Sequence, residues 1–155
     1  MLEVEGLAVR YGVTEVLRDV SFSVAAGRVT ALLGGNGSGK STVLNALSGL
    51  VRPRAGRIAL EGEDLAGLPV HAIVRRGLVQ VPQGREVVAD MTVADNLEIG
   101  TATRGDRDGI RADLAHVHER FPKLHALRNR RAGALSGGEQ TQLSIARALM
   151  ARPRV

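Results

Sequence analysis

The run Gly34-Gly35-Asn36-Gly37-Ser38-Gly39-Lys40-Ser41-Thr42 has the residue types and spacing of a polyphosphate cradle. It satisfies G-x-x-x-x-G-K-[ST], with Gly34, Gly39, Lys40 and Ser41 in the fixed positions. Glycines let the backbone bend so that successive N–H groups converge on one anion. A helix starting near Lys40 adds free N–H groups and the positive end of its dipole. Lys40 can then reach the β- and γ-phosphates, and the Ser41 hydroxyl can face Mg²⁺. A plain glycine turn before a helix would need no lysine. Yet one of the two lysines in the chain stands at the required place. The dinucleotide fingerprint G-x-G-x-x-G does not fit, because its last glycine would fall on Lys40.

A second anion-ready stretch is Leu135-Ser136-Gly137-Gly138-Glu139-Gln140. Ser136 and Glu139 have the S-x-x-E spacing of a capping box, which needs no ligand. Two glycines inside the cap strip side chains from the helix start and open its N–H groups. Two such starts can grip one phosphate together. Alternatively, two chains can face head to tail, each supplying one half of a site.

The elements that would position these stretches follow from hydropathy. Leu2 and Val4 alternate with Glu3 and Glu5, and Val20, Phe22 and Val24 alternate with Asp19, Ser21 and Ser23. Both patterns predict half-buried antiparallel strands. Arg28–Gly34 is nearly all apolar and predicts a strand covered on both faces. Val43, Leu44, Leu47 and Val51 predict a helix ended by Pro53 and Gly56. Residues 56–62 predict a short strand, 71–77 a short helix, and 78–84 a strand running into a loop. Thr92 is a plausible cap for the next helix. Residues 103–109 predict an exposed loop and 107–120 a polar, moderately amphipathic helix. A basic loop then leads to a helix from the second stretch to about residue 150. Strands lead and helices follow, which predicts an α/β core with a helical subdomain.

Composition narrows the function classes. Two Phe, one Tyr and no Trp make the core aliphatic, and the absence of Cys removes disulfides and thiolate metal sites. The N-terminus lacks the pattern of a signal peptide, and no apolar run is long enough to span a bilayer. The net charge of +5 comes from scattered arginines without interleaved aromatics, so no nucleic-acid partner is expected. His116 and His118 stand two apart, on different helix faces, and make a poor metal pair.

The phosphate loop followed by the Leu135–Gln140 stretch resembles the nucleotide-binding domain of ABC ATPases, over the whole chain. The resemblance implies an α/β fold: a P-loop NTPase core with an antiparallel β subdomain and a helical signature subdomain, incomplete at the C-terminus. It implies one domain over 1–155, with the ATP-binding core in 1–84 and the helical subdomain and signature helix in 85–150. Tyr11 would stack on adenine. Gly34, Gly35, Asn36, Gly37, Ser38, Gly39, Lys40, Ser41 and Thr42 would hold the phosphates. Ser41 and Gln83 would face Mg²⁺, with Gln83 signalling to a membrane partner. Leu135, Ser136, Gly137, Gly138, Glu139 and Gln140 would form the signature that touches ATP on the opposing subunit. Gly35 departs from the usual proline, Thr141 from a frequent glutamine, and Arg28 from a frequent glutamate.

Residues 81–100 and the stretch Phe121–Gln140 are similar to ATPases of branched-chain amino-acid importers, with urea or amide importers as the near alternative. The implied cofactors are ATP and Mg²⁺. The implied partners are a second ABC ATPase subunit, identical or related, transmembrane permease subunits, and indirectly a solute-binding protein. The implied location is cytoplasmic, on the inner face of the membrane. In the family, "ARPRV" leads into a Walker B strand ending in Asp-Glu, with a switch histidine farther on. The chain is therefore expected to be truncated, with no complete catalytic set and weak or no hydrolysis alone. An inert or regulatory nucleotide-binding fragment is the alternative.

Overall fold

The computed structural model describes residues 1–84 and 86–155. Its contacts divide the chain into two compact units, Met1–Leu78 with Val155, and Val79–Arg154.

The first unit is built on four antiparallel strands in the order β2-β1-β3-β4. They are β1 (Leu2–Tyr11), β2 (Thr14–Val24), β3 (Ala55–Leu60) and β4 (Glu63–Asp64). Leu2 and Val4 are buried as the alternation requires, and burial then resumes at Leu7 and Val9. The step from Val4 to Leu7 breaks period two. A register shift lies there in both ladders of β1, so one extra residue restores the inward face. Helix α1 (Lys40–Leu47) buries Thr42, Val43, Ala46 and Leu47, and α2 (Val70–Arg75) buries Ile73. Of these, Val43, Ala46, Leu47 and Ile73 join Leu17, Ile58, Leu60 and Leu65 in one aliphatic core.

Three expectations need correction here. Arg28–Gly34 forms no strand and is not covered. Val29 is fully exposed and Leu33 is 87% exposed. Residues 78–84 also form no strand. An apolar run reports a preference for burial, but a strand exists only through a partner that accepts its ladder hydrogen bonds. Among the described residues neither run has one. The helix after the phosphate loop stops at Leu47, well before Pro53. Ser48 caps it, and Gly49 turns away at φ +77°, where a Cβ would lie 2.7 Å from Ile73 Cδ1. Leu44, inside α1, is 46% exposed rather than joining the core.

The second unit is helical: α3 (Val93–Ile99), α4 (Arg107–Arg120), α5 (Pro122–Ala126) and α6 (Gly137–Met150), with a 3₁₀ turn at Ala132–Ala134. Leu143, Ala146 and Met150 recur at helical spacing on α6. They pack with Val93 and Leu97 of α3, Val117 of α4 and Leu124 of α5. Pro122 is the first residue of α5, where its missing N–H costs no helical bond.

The expected exposed loop 103–109 is only partly that. The Arg104 side chain is 7% exposed and bonds Asp106, Asp113 and the Met150 carbonyl at the end of α6. Burial of an arginine is tolerable because two carboxylates and a carbonyl take up its donors. Asp106 is held at about 2, below its usual value, chiefly by its hydrogen bond from Arg104. Among the described residues no helix is long and apolar enough to cross a membrane.

Candidate functional site

Residues Gly34–Ser38 form an exposed turn, with Ser38 N donating to Gly35 O at 3.3 Å. Gly39 ends the turn at φ +90°, and α1 starts at Lys40. A Cβ on Gly39 would lie 2.7 Å from Leu17 Cδ2. Leu17 belongs to β2 and is 4% exposed, so the sheet core presses directly against the back of the loop. Glycine is therefore required at position 39 both by its backbone angle and by the space behind it.

Gly39 offers no side chain to cap α1, and no acidic residue lies in the first turn. The leading N–H groups of the helix are left for an external acceptor. The Lys40 ammonium lies across the loop, donating to Gly34 O at 2.8 Å, Gly35 O at 2.6 Å and Ser38 Oγ at 3.4 Å. An ammonium has three donors, and all three are matched here by the loop itself. An arriving phosphate would exchange neutral acceptors for charged oxygens, a stronger class of hydrogen bond. The hydroxyl of Ser41 is exposed and has no partner among the described residues, leaving it available to a cation. Thr42, by contrast, is buried on the inner side of α1, and Asn36 is exposed. Gly35 has nothing within 4 Å of where a Cβ would be, so the departure from proline leaves open space and no clash.

Tyr11 ends β1 at the hairpin tip, paired with Thr14 and 46% exposed. Its strand partner β2 carries Leu17, which backs Gly39.

Gln83 and the signature stretch lie in the second unit. Gln83 is exposed. The segment that follows is anchored by a residue the sequence reading passed over. Asn96, fully buried on α3, donates to Val88 O at 3.0 Å and Thr92 O at 2.9 Å, and accepts from Val88 N at 2.9 Å. Every polar position it uses is satisfied, which is what burial of an amide demands. Arg147 of α6 also donates to the Glu86 carbonyl. The only sequence signal for Asn96 is an asparagine at i+4 from Thr92 inside an otherwise apolar helical face.

The α6 start is a closed capping box. Ser136 N donates to Glu139 Oε2 at 2.7 Å, and Glu139 N donates to Ser136 Oγ at 3.4 Å. Lys123 of α5 completes it, 2.9 Å from Glu139 Oε1. Together these hold the Glu139 carboxyl at about 2, with the Lys123 hydrogen bond the leading cause. Gln140 donates to Ala132 O at 3.2 Å, fixing the turn before the helix, while Leu135 is buried in the helical core. Gly137 opens the helix, and Gly138 has open space where a Cβ would be. Thr141 Oγ1 bonds Gly137 O at 3.0 Å and so turns away from the helix mouth.

Of the histidines, His118 faces His125, with ring centroids 4.3 Å apart. Burial, then the charges of His125 and Arg128, push its pKa below the ordinary value. Among the described residues no cluster of three or more His, Asp or Glu is placed to hold a metal.

A family model described as ABC transporter matches residues 17–155. The high-affinity branched-chain amino acid transport ATP-binding protein BraG of Pseudomonas aeruginosa is 41% identical over all of this chain, which spans 66% of BraG. The probable branched-chain amino acid transport ATP-binding protein LivF of Archaeoglobus fulgidus is 36% identical, with 65% of its length covered. The lipopolysaccharide export system ATP-binding protein LptB of Acidithiobacillus ferridurans is 40% identical, with 64% of its length covered. A nucleotide-free ATP-binding cassette from an ABC transporter superposes on 98% of the chain and 65% of its own, with a TM-score of 0.84 and 32% identity. The chain thus spans slightly under two thirds of the length of these relatives.

Proposed function

Because the chain belongs to the ABC transporter family, we propose that its phosphate loop binds the phosphates of ATP and that it serves as the ATP-binding subunit of an importer. The observation that carries this is the uncapped start of α1, with Lys40 laid across the loop mouth and the Ser41 hydroxyl free beside it. Backbone N–H groups from residues 39–42 and the Lys40 ammonium would take the phosphate oxygens. Tyr11 would meet the base, and Ser41 and Gln83 would hold Mg²⁺. The metal's contribution is to neutralise charge on the terminal phosphates. Residues 1–84 would act as the ATP-binding core and 85–150 as the helical part. The signature residues Leu135–Gln140 would meet ATP on a second ATPase subunit, with Gly138 bare at the mouth of α6.

The finer reading is branched-chain amino-acid uptake through membrane-spanning permease partners at the inner face of the membrane. BraG and LivF carry that name, and a match to both over the whole of this chain supports it.

The test is thermal unfolding of the chain with and without MgATP, alongside Lys40→Ala. A ligand that binds only the folded state raises the melting temperature by an amount set by its saturation. A rise in the parent chain that Lys40→Ala loses supports the reading. An equal rise in both, or no rise in either, overturns phosphate binding at this loop. Uptake of labelled leucine against labelled urea, in cells lacking the gene, separates the two solute classes.

A further inference from the structure

The two anion-ready helix starts differ in charge. No acidic residue lies in the first turn of α1, whereas α6 carries Glu139 there. A carboxylate near a helix N-terminus steadies the helix, but it also opposes a second anion that comes to the same end. MgATP keeps a net negative charge, so a signature that is to meet it on another chain carries a charge of the wrong sign. Protonation does not remove the conflict. The Glu139 carboxyl is held at about 2, chiefly by the Lys123 hydrogen bond and then by Ser136, and so stays ionised near neutral pH.

The fold answers with a lysine. Lys40 and Lys123 are the only lysines in the chain, and each stands at one of the two starts. Lys40 lies across the phosphate loop, and Lys123 Nζ lies 2.9 Å from Glu139 Oε1. The other oxygen, Oε2, accepts from Ser136 N at 2.7 Å. The carboxylate is thus turned back on its own helix cap, and the Glu139 side chain is only 12% exposed. Helix α5 fixes where the lysine starts. Its next residue, Leu124, is buried in the helical core with Leu143 of α6, and Lys123 O accepts from Leu127 N at 3.1 Å. Stability does not explain the pair, since Lys123 is 68% exposed and an ion pair so open to water contributes little. What the pair changes is the charge beside Gly137 and Gly138, which open the helix with bare backbone.

We propose that Lys123 is a positioning residue for the signature: it offsets the Glu139 charge and holds that carboxylate back on Ser136, so that the mouth of α6 can face the phosphates of a nucleotide on a second chain. This rests on the reading of Leu135–Gln140 under the proposed function. It adds that the lysine acts through Glu139 alone. Removing the lysine should therefore matter only while the carboxylate is there to be offset.

The experiment is sedimentation of the whole chain in MgATP, which reads nucleotide-driven association of two copies, with the melting temperature in MgATP followed in parallel. Lys123→Met should weaken association about fivefold or more, and the deficit should shrink as salt is raised. Lys123→Gln reads the same loss should the methionine variant not fold. Lys123→Arg, which keeps the charge, should associate like the parent. The double variant Lys123→Met, Glu139→Gln should recover most of what Lys123→Met loses, because nothing is left to offset. The rise in melting temperature with MgATP reports the phosphate loop and should persist in Lys123→Met. Association of Lys123→Met as strong as that of the parent overturns the proposal. A loss that Glu139→Gln does not rescue overturns it too, since the lysine would then be merely structural. A parent whose melting temperature rises with MgATP but which never associates overturns the signature reading itself, and this proposal with it.

Discussion

Helix α1 begins at Gly39 with no side chain to cap it, whereas α6 begins at Ser136 with a reciprocal box closed by Glu139 and reinforced by Lys123. Both starts are glycine-rich and both read as anion grips. Their own chemistry differs. In α6 the serine and the glutamate satisfy each other, so the helix start needs no outside acceptor for the donors they occupy. In α1 the leading donors have no side-chain cap among the described residues, and the lysine is held by neutral carbonyls. The first start is completed by what it binds, and the second is complete before anything binds. That difference fits the roles proposed for them, a loop that is to hold a nucleotide and a signature that is to meet a second subunit.

Three changes test this contrast. The largest effect is expected at Gly39. Alanine there would adopt a left-handed backbone and press on Leu17, which the core holds in place. We expect a loss of about 2 kcal/mol or more in stability by urea unfolding, together with loss of the MgATP response. An alanine variant as stable as the parent would show that Leu17 does not set the loop. Next is Ser136→Ala, which removes one half of the box. It should cost about 1 kcal/mol without altering the response to MgATP in the isolated chain. A drop in nucleotide response would mean that the two starts are not independent.

The smallest effect is a pH dependence at Glu139. Its carboxyl is held at about 2 against an ordinary value of 4.5. A lowered folded-state pKa contributes stability above the unfolded value, and that contribution is lost as pH falls through the folded one. The stability difference between the parent and Glu139→Gln should therefore be full near pH 6 and shrink between about pH 4.5 and pH 2. A difference that stays constant over that window would show that the Lys123 and Ser136 contacts do not depend on the charge. Unfolding curves at a series of pH values read it directly.

Much of this was legible in the residues. The lysine at a fixed offset from Gly34, the S-x-x-E spacing at Ser136 and the alternation in β1 and β2 each have a local cause, so local pattern found them. The helix 107–120 is legible at its full length although it is polar and only moderately amphipathic. What was not legible depended on distant partners. Nothing near Gly39 announces Leu17, and nothing near Glu139 announces Lys123. The runs 28–34 and 78–84 look like strands by composition, but pairing is a property of two segments, and composition describes one. Arg104 was read as solvent-exposed for the same reason, since Met150 and Asp113 reach it only through the fold.

Helix α3 shows a third way to start. Thr92 and Asp95 form its capping box, and the carbonyls of Arg130 and Arg128 accept from Val93 N at 3.0 Å and Ala94 N at 2.9 Å. The basic loop thus closes a helix mouth that would otherwise face solvent. In heavy water the consequence is a clock. The first-turn amides of a helix normally trade hydrogen for deuterium at once. Those of Val93 and Ala94 should do so only when the 128–131 loop lifts, so their exchange rate counts the openings of that loop.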